Sequence, residues 1–110
     1  MAAKLTTHVL DTAHGKPAVG MRIQLFREET LLVDITTNAD GRCDAPLLSS
    51  EEMFSGACRL VFHVGDYFRS LDVASPFLDR VSVEFLLNAD QGYHVPLICT
   101  PWSYSTYRGS

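Results

Sequence analysis

Apolar and polar residues alternate with a period of two along most of this chain, the signature of strands with one buried and one wet face. Val81, Val83, Phe85 and Leu87 alternate with Ser82, Glu84, Leu86 and Asn88. Met21, Ile23 and Leu25 alternate with Arg22, Gln24 and Phe26, and Cys58, Leu60, Phe62 and Val64 with Arg59, Val61 and His63. Residues 31–37 are rich in β-branched side chains, which suit a pleated surface. Further strands are predicted over residues 5–11, 93–99 and 102–107. The punctuation agrees: Arg27-Glu28-Glu29 marks a turn, Asn38-Ala39-Asp40-Gly41 and residues 88–92 tolerate positive φ, and Pro101 cannot donate to a ladder. His14-Gly15-Lys16-Pro17 reads as another connection. Helical signal is scarce. Asp66 is placed to cap a short helix with Tyr67, Phe68 and Leu71 on one face, and Ser49 with Glu52 resembles a capping box that Gly56 soon ends. About eight short strands with one brief helix predict an all-β sandwich.

Composition narrows the function classes without choosing one. The 110 residues leave room for one domain with a modest core. Nine Lys and Arg against thirteen Asp and Glu give a net charge of -4 with no basic run, which argues against a nucleic-acid surface. No apolar stretch approaches the ~20 residues of a membrane helix, and the first residues lack the apolar core of a secretory signal. The cysteines (Cys43, Cys58 and Cys99) are odd in number and form no C-x-x-C pair, so neither a disulfide framework nor a zinc ribbon is expected. They read as small buried or half-buried residues in a reducing compartment.

Candidate chemistry is sparse on local evidence. The histidines are His8, His14, His63 and His94, with no H-x-H, no H-E-x-x-H and no cysteine at ligand spacing, so no metal site is expected. There is no G-x-S-x-G elbow and no glycine-rich phosphate cradle. His8 lies within the first predicted strand, Arg42 follows the Asp40-Gly41 turn, and His94 falls on the opposite strand face from Tyr93, Val95 and Leu97. Taken singly, each is an ordinary surface residue, as are His14 and His63, both expected to be solvated. Nothing local joins these points.

A resemblance does. Leu5-Thr6-Thr7-His8-Val9-Leu10-Asp11 with Gly15-Lys16-Pro17-Ala18 resembles the N-terminal motif of the transthyretin-related 5-hydroxyisourate hydrolases. Asn38-Ala39-Asp40-Gly41-Arg42 is similar to that family's arginine-bearing turn. Tyr93-His94-Val95-Pro96-Leu97 and Pro101-Trp102-Ser103-Tyr104-Ser105-Thr106 resemble its last two strands, and Tyr107-Arg108-Gly109-Ser110 its C-terminal tetrapeptide. Transthyretin shares the Pro-x-Ser-Tyr-Ser-Thr stretch but lacks the histidines and that ending.

The resemblance implies that residues 1–110 form a single transthyretin-like hydrolase domain, a two-sheet β-sandwich of about eight strands and a short helix. It implies a homotetramer with active sites where subunits meet. The implied reaction, in urate (purine) catabolism, opens a ring amide of 5-hydroxyisourate to give 2-oxo-4-hydroxy-4-carboxy-5-ureidoimidazoline. His8, Arg42, His94 and Ser110 become the catalytic set; His8, Arg42, Tyr107, Arg108, Gly109 and Ser110 the substrate-binding set. Tyr107, Arg108 and Gly109 form the strand end that positions Ser110, so a C-terminal tag is expected to impair activity. No metal or organic cofactor, nucleic acid or membrane partner is implied, and the default location is the cytoplasm of a bacterium. The alternatives are a non-catalytic transthyretin-like module binding a small ligand, and a sandwich that acts in protein interactions.

Overall fold

The computed structural model describes residues 3–109. Its strands are β1 (Lys4–Thr6), β2 (Val9–Asp11), β3 (Lys16–Pro17), β4 (Arg22–Arg27), β5 (Thr30–Thr36), β6 (Leu48–Ser49), β7 (Gly56–Phe62), β8 (Val81–Leu87), β9 (Tyr93–His94), β10 (Leu97–Cys99) and β11 (Tyr104–Thr106). They form three sheets, ordered β6-β1-β9, β11-β10-β2-β3 and β5-β4-β7-β8. A 3-10 turn (Ser50–Glu52) and one helix, α1 (Val64–Ser70), complete the described residues. That helix is far too short to cross a membrane.

The expected strands over residues 5–11 and 93–99 each divide in two, at Thr7-His8 and at Val95-Pro96. Both halves keep one parallel register: Thr6 lies opposite His94 and Val9 opposite Leu97, so the same separation holds across the break. Hydrogen bonds continue through it. Val95 N–H donates to the Thr6 carbonyl and Leu97 N–H to the His8 carbonyl, both at 2.9 Å. The Thr7 hydroxyl donates to the Val95 carbonyl at 2.8 Å. Pro96, opposite His8, has no N–H to give, which interrupts the regular ladder without breaking the track. The first two sheets are therefore halves of one layer, and β5-β4-β7-β8 is the other. Together they make the expected sandwich.

The period-two pattern places the core. Leu5, Val9, Ile23, Leu25, Leu60, Phe62 and Leu97 are all fully buried, each contributing about 1.5–3 kcal/mol relative to an exposed position. Thr6, His8, Leu10 and His94 face the other way and are half-buried. The helix begins earlier than expected. His63, not Asp66, occupies its N-cap, because Val64 is drawn fully into the core and Tyr67 N–H reaches back 3.2 Å to the His63 carbonyl. The resemblance of Ser49 and Glu52 to a capping box holds: Ser49 N–H donates to the Glu52 carboxylate at 3.0 Å.

His63 also departs from expectation. It is only 7% exposed, and its Nε2–H donates to Gln24 Oε1 at 2.7 Å. Burial pushes its pKa below the ordinary value, with the charges of Arg22 and Arg80 adding to the effect. His14 stays at the surface, but its Nδ1–H is committed to Asp11 Oδ2 at 2.6 Å. Asp11 is fully buried and also accepts from the Tyr67 hydroxyl at 2.7 Å, so β2 is tied to α1.

Candidate active site

The turn after β5 delivers Arg42. Asn38 Oδ1 accepts the backbone N–H groups of Asp40 (2.9 Å) and Arg42 (3.1 Å), an Asx arrangement that closes the turn on itself. Gly41 has φ +73°, and a Cβ there would meet the Val9 carbonyl oxygen at 2.5 Å, so only glycine lets the turn approach β2 this closely. Val9 N–H donates to the Gly41 carbonyl at 2.8 Å, and His8 pairs with Arg42 as an isolated antiparallel bridge. Directly opposed residues of such a pair share a face. Arg42 and His8 therefore project to the same side.

His94 joins them from the other flank. β9 runs parallel to β1, with Thr6 opposite His94, and Thr6 and His8 are two apart on one strand face. Thr6 Oγ1 lies 2.8 Å from His94 Nδ1. On the far side, Gly109 bridges to His94, its N–H donating to the His94 carbonyl at 2.6 Å. A Cβ on Gly109 would sit 3.1 Å from His94 Cδ2, so glycine leaves the ring its room. Adjacent strands lie about 4.8 Å apart, and four neighbouring backbones thus bring a guanidinium, two imidazoles and a chain segment onto one outer face.

The electrostatics of the face are uneven. His94 is pushed below the ordinary histidine pKa by burial first, then by the charges of Arg42 and His8, so its imidazole is neutral at neutral pH. His8 Nε2 lies 2.9 Å from the Asp40 carbonyl oxygen, which can only accept, so Nε2 carries the proton and neutral His8 keeps its lone pair on Nδ1. Arg42 is exposed and has no carboxylate partner among the described residues, leaving its fork free for a ligand. Cys43, its neighbour, is held as a thiol by burial and the charge of Asp44, at a pKa of about 11. A nucleophilic cysteine is not available here. Among the described residues no cluster of His, Cys, Asp and Glu could hold a metal ion.

The remaining candidates are placed differently. Arg108 turns away from His94: its guanidinium lies 4.3 Å over the Tyr93 ring and donates to the Gly92 carbonyl at 2.9 Å. Tyr107 is 57% exposed beside Phe85 and Leu86. Ser110 lies outside the described residues. Beside Arg42 and Thr6 opens a depression of about 290 Å³, rimmed by Lys4 and Asp44; neither His8 nor His94 lines it. The face is open rather than enclosed. Thr6 and the Asp40 carbonyl are the contributors that reasoning on single residues missed. Thr6 carried one signal, its two-residue spacing from His8.

Known proteins resemble this chain along its whole length. The model of the HIUase/Transthyretin family matches residues 5–109. A 5-hydroxyisourate hydrolase of Deinococcus radiodurans is 53% identical over 113 residues, covering 96% of this chain and 95% of its own. The structure of Klebsiella pneumoniae 5-hydroxyisourate hydrolase is similar with a TM-score of 0.88 at 33% identity, over 98% of this chain and 99% of that one. A crystal structure of (S)-allantoin synthase matches with a TM-score of 0.91 at 42% identity over 99% of this chain, which spans 44% of that larger protein.

Proposed function

Because the chain belongs to the HIUase/Transthyretin family, we propose that it hydrolyses 5-hydroxyisourate to 2-oxo-4-hydroxy-4-carboxy-5-ureidoimidazoline, a step of urate catabolism. One observation carries the reading: Arg42, His8 and His94, far apart in sequence, share one outer face, with a neutral imidazole beside a free guanidinium.

Hydrolysis of a ring amide needs a base for water, a charge to hold the oxygen that turns negative, and a proton for the departing nitrogen. Neutral His94 takes the proton as water adds to the carbonyl. Arg42 lies across the planar ring, its fork binding two acceptors and stabilising the oxyanion. When the carbon–nitrogen bond breaks, the proton passes from the imidazolium to the ring nitrogen and the carboxyl group is left on the product. His8 orients the substrate, since its Nε2–H is already committed to Asp40. Ser110 anchors the ring or the water through its hydroxyl, and Tyr107, Arg108 and Gly109 hold the segment that brings it there. Water attacks directly, with no acyl-serine. The working form is a cytoplasmic homotetramer in which a second subunit completes the groove.

The test is direct. 5-Hydroxyisourate generated by urate oxidase decays spontaneously, and its absorbance is followed with and without the protein. Decay should be accelerated, and His8→Ala and His94→Ala should each lower the rate by about two orders of magnitude. Decay no faster than the spontaneous reaction would favour a module that binds a small ligand without turning it over.

A further inference from the structure

We propose that Thr6 is a positioning residue for this reaction: its hydroxyl accepts the Nδ1–H of His94 and leaves His94 Nε2 as the bare nitrogen that takes the proton from water. The chemical role rests on the hydrolase reading; the hydrogen bond itself does not.

The strand register brings the pair together. β1 and β9 are parallel neighbours with Thr6 opposite His94, and the Oγ1–Nδ1 separation is 2.8 Å. A neutral imidazole donates from one nitrogen and accepts at the other, so this bond settles which nitrogen remains for catalysis. A second acceptor is compatible with this direction. The Tyr93 carbonyl oxygen lies 3.5 Å from Thr6 Oγ1 and can only accept, so a hydroxyl proton turned towards it leaves Oγ1 to accept from the ring. The lone pairs of Oγ1 then face Nδ1. Threonine suits the task because β-branching restricts χ1, holding the hydroxyl in place at a smaller entropy cost than a serine would. Gly109 N–H, bonded at 2.6 Å to the His94 carbonyl, steadies the backbone from the other side.

The assignment separates the two imidazoles. His8 is anchored through Nε2–H on the Asp40 carbonyl, and its bare nitrogen is Nδ1. His94 is anchored through Nδ1–H on Thr6, and its bare nitrogen is Nε2. Two histidines on one face thus carry opposite tautomers, each fixed by an oxygen of the scaffold, and the nitrogen free to act differs between them. Thr6 touches His94 Nδ1, not the reacting atoms, so its removal acts on turnover rather than on substrate capture.

The experiment compares wild type, Thr6→Val and Thr6→Ser by the kcat against KM split and by ¹⁵N NMR of His94 above its pKa. Wild type should show Nδ1 protonated and Nε2 bare. Thr6→Val, which keeps the shape but removes the acceptor, should populate both tautomers and lower kcat about tenfold or more with KM within about twofold. Thr6→Ser should recover the wild-type tautomer and most of kcat. A wild-type spectrum with Nε2 protonated overturns the proposal, as does a Thr6→Val protein with unchanged tautomer and kcat. If Thr6→Val does not fold, the wild-type spectrum and Thr6→Ser decide alone. The hydrolase reading fails separately: wild type inert towards 5-hydroxyisourate would remove the reaction while the spectra still decide the hydrogen bond.

Discussion

His94 can accept a proton only while its imidazole is neutral, and its surroundings keep it so. Burial, then the charges of Arg42 and His8, place its folded pKa below the ordinary 6.5. The unfolded chain binds the proton first as pH falls, so this group's contribution to stability is complete above pH 6.5 and is lost as pH falls through the folded value. For His94 as the proposed base, the same shift extends the working range: the acid limb of kcat/KM should lie below pH 6.5. Arg42 adds to that shift after burial and is the proposed partner of the oxyanion, and two substitutions separate these roles. Arg42→Lys keeps the charge but loses the planar fork, so the limb should stay while kcat falls about tenfold or more. Arg42→Gln removes the charge, and the limb should move up as well. A pH–rate profile of the three proteins checks this, and identical limbs in all of them would remove Arg42 from the electrostatics of His94.

Between elements, the site depends on close backbone approaches that few residues allow. Gly41→Ala would place a Cβ 2.5 Å from the Val9 carbonyl oxygen at φ +73°, so the turn must retreat from β2 and carry Arg42 with it. The expected cost is about 1–3 kcal/mol of stability together with most of the activity, read by thermal melting and by the decay assay. Asp11 makes a second such link. Burial alone would raise its pKa, but hydrogen bonds from Tyr67 and His14 outweigh it, and the net shift is downward. Its stabilisation is present above the ordinary carboxylate value of 3.8 and disappears as pH falls through the folded one. Tyr67→Phe should cost about 1 kcal/mol or more at neutral pH and begin acid unfolding at a higher pH, visible in melts across pH. Strand positions were legible in the sequence because period two is a local signal; Val81 to Phe85 alternates without interruption and lies in β8 as expected. The start of α1 was not, because Val64 continues the apolar rhythm of β7 while its backbone has already turned helical. For the site, His8, Arg42 and His94 stood out through motifs. Thr6 did not, since its partner is 88 residues away and only the parallel register brings them together.

At the scale of the molecule, a chain this small leaves its chemistry on a surface. Arg42 is exposed, His8 and His94 are half-buried, and the nearest depression, about 290 Å³, is lined by Thr6 and Arg42 but by neither histidine. A bound ring on such a face would keep one side in water, where a guanidinium and an oxyanion attract each other weakly. A second wall must exclude that water, and among the described residues none encloses the face to supply it. The surface carries apolar groups suited to association: Phe77 (69% exposed) and Trp102 (63%) stack with ring centroids 6.4 Å apart, and Leu86 is 76% exposed. If a partner subunit supplies the wall, activity per protomer must depend on concentration, since diluting the oligomer opens every groove. Light scattering should show tetramers at micromolar concentration. Specific activity should be constant there and fall severalfold once dilution splits the assembly, recovering on reconcentration. A monomer with full activity at every concentration would mean that one face, open to water, suffices for the reaction.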